Sequence, residues 1–201
     1  SVNNMLPEIF SSGAAAYHFG NAVDMREILD QAILQFIQEH LRNGWSDAFF
    51  TAITFLGDSG IIWIAFSLCL VCSKTYRRQG LVLLAVLAIT FLVGDVVLKN
   101  WIQRPRPFQE MPVELLIPPP ESFSFPSGHT SSSFAAASVI YRIRKSWGIA
   151  AFILAVLIGF SRLFLFVHYP TDVLAGAVLG LLVGNLVCFC IGKRKGWKWG
   201  K

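Results

Sequence analysis

Charged side chains are scarce in this sequence of 201 residues: they make up 14% of it, while hydrophobic residues make up 54%. An ordinary soluble domain carries roughly 25% charged residues. The scarcity excludes an ordinary soluble domain. It predicts one membrane-embedded domain, because lipid rather than water must surround much of the surface.

Long hydrophobic runs take the place of the missing charge. Four runs, at 47–73, 79–101, 146–167 and 170–192, are close to or above the roughly 20 residues that cross a bilayer as a helix. A fifth run, 127–141, is shorter and rich in Ser and Ala, which suits a helix packed against other helices. A re-entrant half-helix is the alternative for this fifth run. The expected fold is all-α, an integral membrane helical bundle of about five spans.

The N-terminal 46 residues contain no such run, and they lack the charged start and apolar core of a secretory signal. Between residues 24 and 42, apolar residues recur at helical spacing beside Asp, Gln and Glu. This pattern predicts an amphipathic helix at the membrane interface or against the bundle. We therefore expect an N-terminal region at 1–46 with an interfacial helix, a transmembrane catalytic bundle at 47–192 with an outer loop at 102–126, and a basic tail at 193–201.

Basic residues give the chain a formal net charge of +5, yet no soluble basic domain is present to bind nucleic acid. Eleven of the seventeen lie in three blocks beside the spans: Lys74, Arg77 and Arg78; Arg142, Arg144 and Lys145; Lys193, Arg194, Lys195, Lys198 and Lys201. The positive-inside rule predicts that all three blocks are cytoplasmic. Loop 102–126 and the N-terminus are then expected outside.

Cysteine is also scarce. The four cysteines lie in or near predicted spans, which favours packing over a disulfide or a metal site. The sequence has no H-E-x-x-H motif and no acidic cluster, which argues against a metal-dependent hydrolase. No cofactor and no metal are expected.

The remaining cations and two histidines collect at the predicted outer ends of the spans: Lys99, Arg104, Arg106, Arg162, His129 and His168, with Asp172. Such a concentration at one membrane face is costly and indicates a functional site. Several cations beside hydroxyls and a helix start suit an oxyanion such as phosphate. Ser127 is a candidate N-cap and Gly128 lets the backbone come close, so this segment is expected to cradle phosphate.

Asp172 follows His168 by four residues, which allows the carboxylate to hold one imidazole nitrogen and leave the other as nucleophile or base. His129 would then protonate the leaving oxygen. Asp95, four residues before Lys99, is expected to be its partner within a helix. Arg104 is left open, because only one of Arg104 and Arg106 needs to face the site.

These residues resemble the three-part signature of the phosphatidic acid phosphatase type 2 superfamily. The first part is Lys99 followed after six residues by Arg106 and Pro107, and the second is Pro126 to His129. The third is Ser161 and Arg162, then His168 after five residues and Asp172 after three more. Membrane members usually have six spans, so the resemblance implies that the first span is missing here and leaves the N-terminal topology open.

The resemblance implies that His168 forms a phosphohistidine, that Asp172 orients it, and that His129 acts first as acid and then as base. It implies phosphoryl binding by Lys99, Arg106, Ser127, Gly128 and Arg162.

The leading hypothesis is a metal-independent lipid phosphatase in the cell or inner membrane, with its site on the outer or periplasmic face. Undecaprenyl diphosphate is the favoured substrate, and phosphatidylglycerol phosphate, phosphatidic acid and lipid A 1-phosphate are alternatives. A lipid-directed phosphotransferase and a lipid-phosphate binding or transport protein without turnover are the rivals. The expected partners are the lipid phosphate and membrane lipids, and the oligomeric state is open.

Overall fold

The structure describes residues 25–193 and Trp199. These residues are mostly helical and contain no strand. The computed structural model gives the following helices in chain order: α1 (Met25–His40), α2 (Gly44–Gly57), α3 (Ile61–Cys72), α4 (Arg77–Phe91), α5 (Lys99–Ile102), α6 (Pro107–Glu110), α7 (Gly128–Ile143), α8 (Lys145–Phe164) and α9 (Pro170–Gly192). A 3₁₀ turn at Asp58–Gly60 joins α2 to α3, and a π-helical stretch at Leu92–Leu98 joins α4 to α5.

Four helical stretches are long and apolar enough to cross a membrane: Gly44–Cys72, Arg77–Glu110, Lys145–Phe164 and Pro170–Gly192. They coincide with the four long runs of the sequence, and the all-α membrane-bundle fold is confirmed. The fifth run forms α7, whose 16 residues extend about 24 Å. α8 begins at the far end of α7 instead of returning beside its start, so α7 is not the re-entrant half-helix of the alternative reading.

Helix α7 is the centre of the bundle because small residues let its neighbours approach closely. It packs against α4, α8 and above all α9. A Cβ built on Gly180 of α9 would lie 2.3 Å from the carbonyl oxygen of Ser131, and one on Gly184 would lie 2.8 Å from the Ser138 Cβ. The two backbones are therefore in direct contact along α9.

The basic blocks lie at one end of the bundle, here called the opposite end. Tyr76, in the turn between α3 and α4, packs on Trp147 at the start of α8 with ring centroids 5.9 Å apart. The blocks at 74–78 and 142–145 thus share an end, as predicted. Lys193 ends α9 at the same end, and the rest of the third block lies outside the described residues. The end where α8 stops and α9 starts is called the site end.

Helix α1 lies across the site end, and its inward face differs from the amphipathic prediction. Leu34 and Ile37 are buried, and Gln38 Nε2 donates to the Phe164 carbonyl oxygen at 2.9 Å. Asp30, which the pattern put on the polar stripe, is 2% exposed. The apolar Leu29 and Phe36 are exposed instead. The helix thus docks through a buried acid and turns part of its apolar surface outward.

Two smaller features concern the outer loop and the cysteines. Loop 102–126 contains one short helix, α6, which begins at Pro107. All four cysteines are free: Cys188 is buried, and Cys69, Cys72 and Cys190 are exposed. Of the two histidines outside the predicted site, His40 is exposed and His18 lies outside the described residues.

Candidate active site

A cavity of about 530 Å³ opens at the site end between α2, α3, α4 and α7. It is lined by six of the eight residues predicted for the site: Lys99, Arg106, Gly128, His129, Arg162 and His168. The other two, Ser127 and Asp172, are fully buried behind the wall. Residues from three distant parts of the sequence therefore meet in one cavity.

Ser127 occupies the N-cap position of α7, but its hydroxyl makes no capping bond. It accepts a hydrogen bond from Thr130 Oγ1 at 3.0 Å instead, while the Ser127 N–H donates to the Asp172 carbonyl oxygen at 3.1 Å. Ser127 therefore joins α7 to the start of α9, and its side chain does not reach the cavity. Gly128 does reach it, and a Cβ there would lie 2.7 Å from Asp95 Oδ1.

His168 sits in the short connection between α8 and α9 and is 1% exposed. Its Nε2 lies 3.2 Å from Arg106 Nη1. A guanidinium can only donate, so Nε2 must accept and the ring proton belongs on Nδ1, an assignment that rests on these partners. The lone pair of Nε2 is thus directed to the side of the ring where the cations are.

Asp172 is close to His168, but the direct distance from Nδ1 to Oδ2 is 3.6 Å, too long for a hydrogen bond. Ser124 bridges the two: its hydroxyl donates to Asp172 Oδ2 at 2.5 Å, and its Oγ lies 3.4 Å from His168 Nδ1. The Tyr169 N–H also donates to Oδ2, at 2.9 Å. The carboxylate is held firmly, and it acts on the imidazole chiefly through Ser124.

Arg104 supports the same carboxylate from the other side. Its Nη1 donates to Asp172 Oδ1 at 2.7 Å, and its Nη2 donates to Asp30 Oδ2 at 2.8 Å. The guanidinium also stacks on Tyr169, with the carbon 3.9 Å from the ring centroid. Asp30 in turn accepts from the Thr171 N–H at 3.0 Å. Arg104 does not line the cavity; it ties α1 to the start of α9.

Three cations face the cavity, and all are buried. Lys99 pairs with Asp95 at 2.5 Å, as their spacing predicted. Arg106 donates to the Val167 and Ser122 carbonyl oxygens, and Arg162 donates to Thr54 Oγ1. Within the described part of the chain, neither arginine has a carboxylate within ion-pair distance, and the buried Nε of Arg162 has no hydrogen-bond partner. These two guanidiniums are therefore buried charges with no carboxylate in direct contact among the described residues.

His129, on the first turn of α7, faces the same cavity. Its Nε2 lies 2.7 Å from Asp58 Oδ1, which belongs to the turn between α2 and α3. The His129 side chain keeps 19% of its exposure, and that of Asp58 keeps 50%. This second histidine–carboxylate pair is therefore partly exposed, unlike the first, and its histidine lines the cavity.

Burial is the main reason that the pKa of His168 lies well below its ordinary value of 6.5. The guanidiniums of Arg106 and Arg162 lower the pKa further, and Asp172 opposes them. The imidazole is therefore neutral at neutral pH, as a nucleophile must be. Burial and the hydrogen bond to Glu110 raise the pKa of Tyr169. Its phenol therefore keeps its proton and donates a hydrogen bond to the Glu110 carboxylate.

Sequence reasoning missed Ser124, Asp58 and Asp30. Asp58 had a signal: it is a carboxylate in the middle of an otherwise apolar run, where such a residue is costly. Ser124 lies two residues before Pro126 in a loop with other serines, and nothing in the sequence separates it from Ser122. Asp30 looked like an ordinary polar residue of an amphipathic helix.

The other half of the cavity is apolar. Its wall includes Ile64 of α3 and Leu84, Leu87 and Phe91 of α4. Ile64 and Phe91 are also exposed on the outer surface of the bundle, 40% and 58% respectively. The apolar half thus reaches the bundle surface between α3 and α4, within two membrane-spanning stretches.

A membrane bundle with two histidines and three cations around one cavity has the features of an enzyme that handles phosphate esters within the membrane. The chain belongs to the PAP2 superfamily, whose family model matches residues 79–196. The resemblance drawn from the three motifs is thereby confirmed.

Relatives of known activity support the class of membrane lipid phosphatase. Phosphatidylglycerophosphatase B of Bacillus subtilis (strain 168) is 34% identical over 188 residues, which is 87% of each chain. The undecaprenyl-diphosphatase of Sulfolobus acidocaldarius is 35% identical over 127 residues, 62% of this chain and 61% of that protein.

Two solved structures share the architecture. The transmembrane PAP2-type phosphatidylglycerolphosphate phosphatase from Bacillus subtilis aligns with a TM-score of 0.72 and 30% identity over 96% of this chain and 94% of that one. Aquifex aeolicus LpxE aligns with a TM-score of 0.71 and 28% identity over 80% of this chain and 95% of that one.

Proposed function

We propose that the protein hydrolyses a lipid phosphate or diphosphate without a metal ion, through a phosphohistidine on His168. In the first step Nε2 of His168 attacks phosphorus while His129 gives a proton to the leaving lipid oxygen. In the second step His129 takes a proton from a water molecule, which attacks phosphorus and releases phosphate from His168. Asp172 and Ser124 hold the proton on Nδ1 throughout.

The observation that carries this proposal is the pair of buried arginines without a carboxylate partner. A buried charge is strongly unfavourable unless a counter-charge or full hydrogen bonding compensates it. Arg106 is hydrogen-bonded to carbonyl and hydroxyl oxygens, but the buried Nε of Arg162 has no partner. Both guanidiniums face the cavity beside His168, where the charged oxygens of a phosphoryl group would supply the counter-charge that they lack in direct contact. Lys99 and the backbone at Gly128 complete the proposed phosphoryl site.

Catalysis without metal is supported by the donor set. The described residues contain no group of three His, Cys, Asp or Glu side chains placed to hold a metal ion. The carboxylates near the cavity are instead engaged, Asp95 with Lys99 and Asp58 with His129. The positive charge that a metal would bring to the phosphoryl oxygens is provided by guanidinium and ammonium groups.

The apolar half of the cavity supports a lipid as the substrate. Its opening between α3 and α4 would let the acyl or prenyl tail stay in the membrane while the phosphate reaches the cations. The basic blocks at the opposite end support a site on the outer or periplasmic face, by the positive-inside rule.

Undecaprenyl diphosphate is the proposed substrate. Phosphatidylglycerol phosphate is the second candidate, because the relative that acts on it by name, phosphatidylglycerophosphatase B, matches over 87% of both chains. The two differ in the leaving group, which is a lipid phosphate in the first and an alcohol in the second.

The test is phosphate release by the purified protein in detergent with EDTA, from undecaprenyl diphosphate, phosphatidylglycerol phosphate, phosphatidic acid and lipid A. Release from at least one lipid, lost in His168→Ala and in Arg106→Ala, is the expected result. No release from any lipid, or release that depends on added divalent cation, would refute the proposal.

The same experiment separates the rivals. A phosphotransferase would pass the phosphoryl group to a second lipid, which mass spectrometry of the lipid products detects. A binding or transport protein would bind the lipid in both wild type and His168→Ala and release no phosphate, whereas Arg106→Ala would lose binding.

A further inference from the structure

The spanning stretch Gly44–Cys72 is broken at the cavity, and the break presents a carboxylate to His129. Helix α2 ends at Gly57, and the next three residues form a 3₁₀ turn in which Ser59 has φ 50° and Gly60 has φ 66°. A positive φ is natural for glycine but strained for serine. The result of this backbone is that Asp58 Oδ1 lies 2.7 Å from His129 Nε2.

Close packing holds the imidazole against this break. A Cβ built on Gly57 would lie 2.8 Å from both His129 Cδ2 and Ile158 Cγ2, so a larger residue would push the ring away. The Cδ2–Nε2 edge of the ring therefore faces α2 and Asp58. The other nitrogen, Nδ1, is left without a hydrogen-bond partner among the described side chains and backbone groups.

The electrostatic environment of His129 indicates what its contact with Asp58 does. Burial above all disfavours a positive charge on His129, and the nearby cations Arg162 and Lys99 oppose it further. Asp58 is the carboxylate in contact with His129, and its negative charge and hydrogen bond counteract part of this effect. A histidine that must carry a proton among cations needs such a partner.

We propose that Asp58 is the positioning residue for His129: it binds the Nε2 proton and leaves Nδ1 to protonate the leaving oxygen. This inference rests on the proposed phosphatase function. In the first step the Nδ1 proton moves to the leaving oxygen as the P–O bond breaks and the bond from phosphorus to His168 forms. In the second step Nδ1 recovers a proton from water as the P–N bond breaks. The proton on Nε2 stays with Asp58 throughout.

The role of Asp58 should therefore depend on the leaving group. An alcohol leaves as a strongly basic alkoxide unless it is protonated, whereas a nitrophenol or a lipid phosphate is stable as an anion. General acid catalysis contributes roughly 10² to 10⁴ in rate where the leaving group needs it. Asp58 thus bears on whether this site can hydrolyse lipid monoesters as well as diphosphates.

The experiment compares wild type with Asp58→Asn, which keeps the shape and removes the charge. The substrates are dioctanoyl phosphatidic acid, with an alkoxide leaving group, and p-nitrophenyl phosphate and farnesyl diphosphate, with stable anions. The expected loss in kcat is about ten- to hundredfold for phosphatidic acid and under about threefold for the other two. Asp47→Asn is the matched control, because Asp47 lies on α2, the helix that leads into the turn with Asp58, and is a partly buried aspartate that pairs with Arg42 instead; it should leave all three rates unchanged.

A double-mutant cycle with His129→Ala separates positioning from structure. If Asp58 acts through His129, Asp58→Asn should cost nothing further in the His129→Ala background on any substrate that this variant still hydrolyses. Thermal unfolding in detergent checks that each variant is folded.

Equal losses on all three substrates, or a loss that persists in the His129→Ala background, would overturn the role of Asp58. So would a lower KM with unchanged kcat, because that result would mean that the carboxylate merely competes with substrate. If wild type releases phosphate neither from these three substrates nor from any lipid of the panel above, the proposed function fails and the role of Asp58 with it. If wild type is active and Asp58→Asn loses kcat equally on all three substrates, the proposed role of Asp58 is wrong and the proposed function still stands.

Discussion

The two histidine–carboxylate pairs of the cavity are built in different ways. His168 and Asp172 are four residues apart, almost fully buried, and held by Ser124, Arg104 and a backbone N–H. His129 and Asp58 are 71 residues apart, partly exposed, and joined by one contact of 2.7 Å. The first arrangement suits a group that must be neutral and fixed. The second suits a group that exchanges protons with substrate and water.

The largest change in rate that we expect follows from substitution of His168. His168→Ala should lower kcat on the order of 10⁴-fold or more for every substrate, because no other group can form the covalent intermediate. His129→Ala should lower kcat strongly for an alkyl phosphate and far less for p-nitrophenyl phosphate. The measurement is initial rate on both substrates for both variants. If both variants lose the alkyl phosphate and p-nitrophenyl phosphate activities in the same proportion, the two histidines do not have separate roles.

The next prediction concerns Arg104, which donates a hydrogen bond to the Asp172 carboxylate on the side away from His168. Arg104→Gln removes the guanidinium that bridges Asp172 and Asp30, and we expect kcat to fall about ten- to hundredfold through misplacement of His168, with KM little changed. Arg42→Gln is a matched control, because Arg42 is an arginine at the same end that pairs with Asp47 instead. A rise in KM with kcat intact would indicate that Arg104 binds substrate directly.

A smaller effect is expected for Ser124→Ala. The variant removes the hydroxyl between Asp172 Oδ2 and His168 Nδ1, but Arg104 and the Tyr169 N–H still hold the carboxylate. We expect kcat to fall by about tenfold, since a hydrogen bond to a charged group contributes about 1.5–3 kcal/mol and the other two partners of Asp172 remain in place. Ser122→Ala, in the same loop, provides the comparison. A loss as large as that of Asp172→Ala would mean that Asp172 acts on His168 through Ser124 alone.

The mildest prediction concerns pH. Because burial lowers the pKa of His168 well below 6.5, the acid limb of kcat/KM should lie below pH 6.5. The unfolded chain binds that proton more readily than the folded one, so folded stability should also rise with pH between the lowered pKa and 6.5. A pH–rate profile and unfolding midpoints across this range check both. An acid limb above pH 6.5 that His129→Ala leaves in place would contradict the assignment.

The contrast between the pairs also explains what the sequence could predict. The spans followed from apolar runs, and the pairing of Asp95 with Lys99 followed from helical spacing, because both signals are local. The proximity of His168 and Asp172 was visible for the same reason. The contact of Asp58 with His129 was not, since it depends on how the break after α2 meets the start of α7.

Position in the sequence also failed to show which atoms reach the cavity. Ser127 was predicted to bind phosphate, and the structure turns its hydroxyl to Thr130. The motif assigned Arg106 to the site and left the role of Arg104 open; Arg106 faces His168, and Arg104 lies behind Asp172. A separation of two residues on an extended, proline-rich segment carries no periodic signal strong enough to separate them.

The glycine contacts between α7 and α9 limit how the cavity can open. With the Gly180 position against the Ser131 backbone, these helices cannot slide or rotate without a clash, so the start of α7 and the start of α9 move as one body. Helix α3 touches α7 only slightly. The wall formed by α7 and α9 is thus rigid, and α3 is the part of the cavity wall most free to yield, because α4 packs on α7. Since the turn before α3 carries Asp58, a movement of α3 that admits a lipid tail would be transmitted to the carboxylate partner of His129.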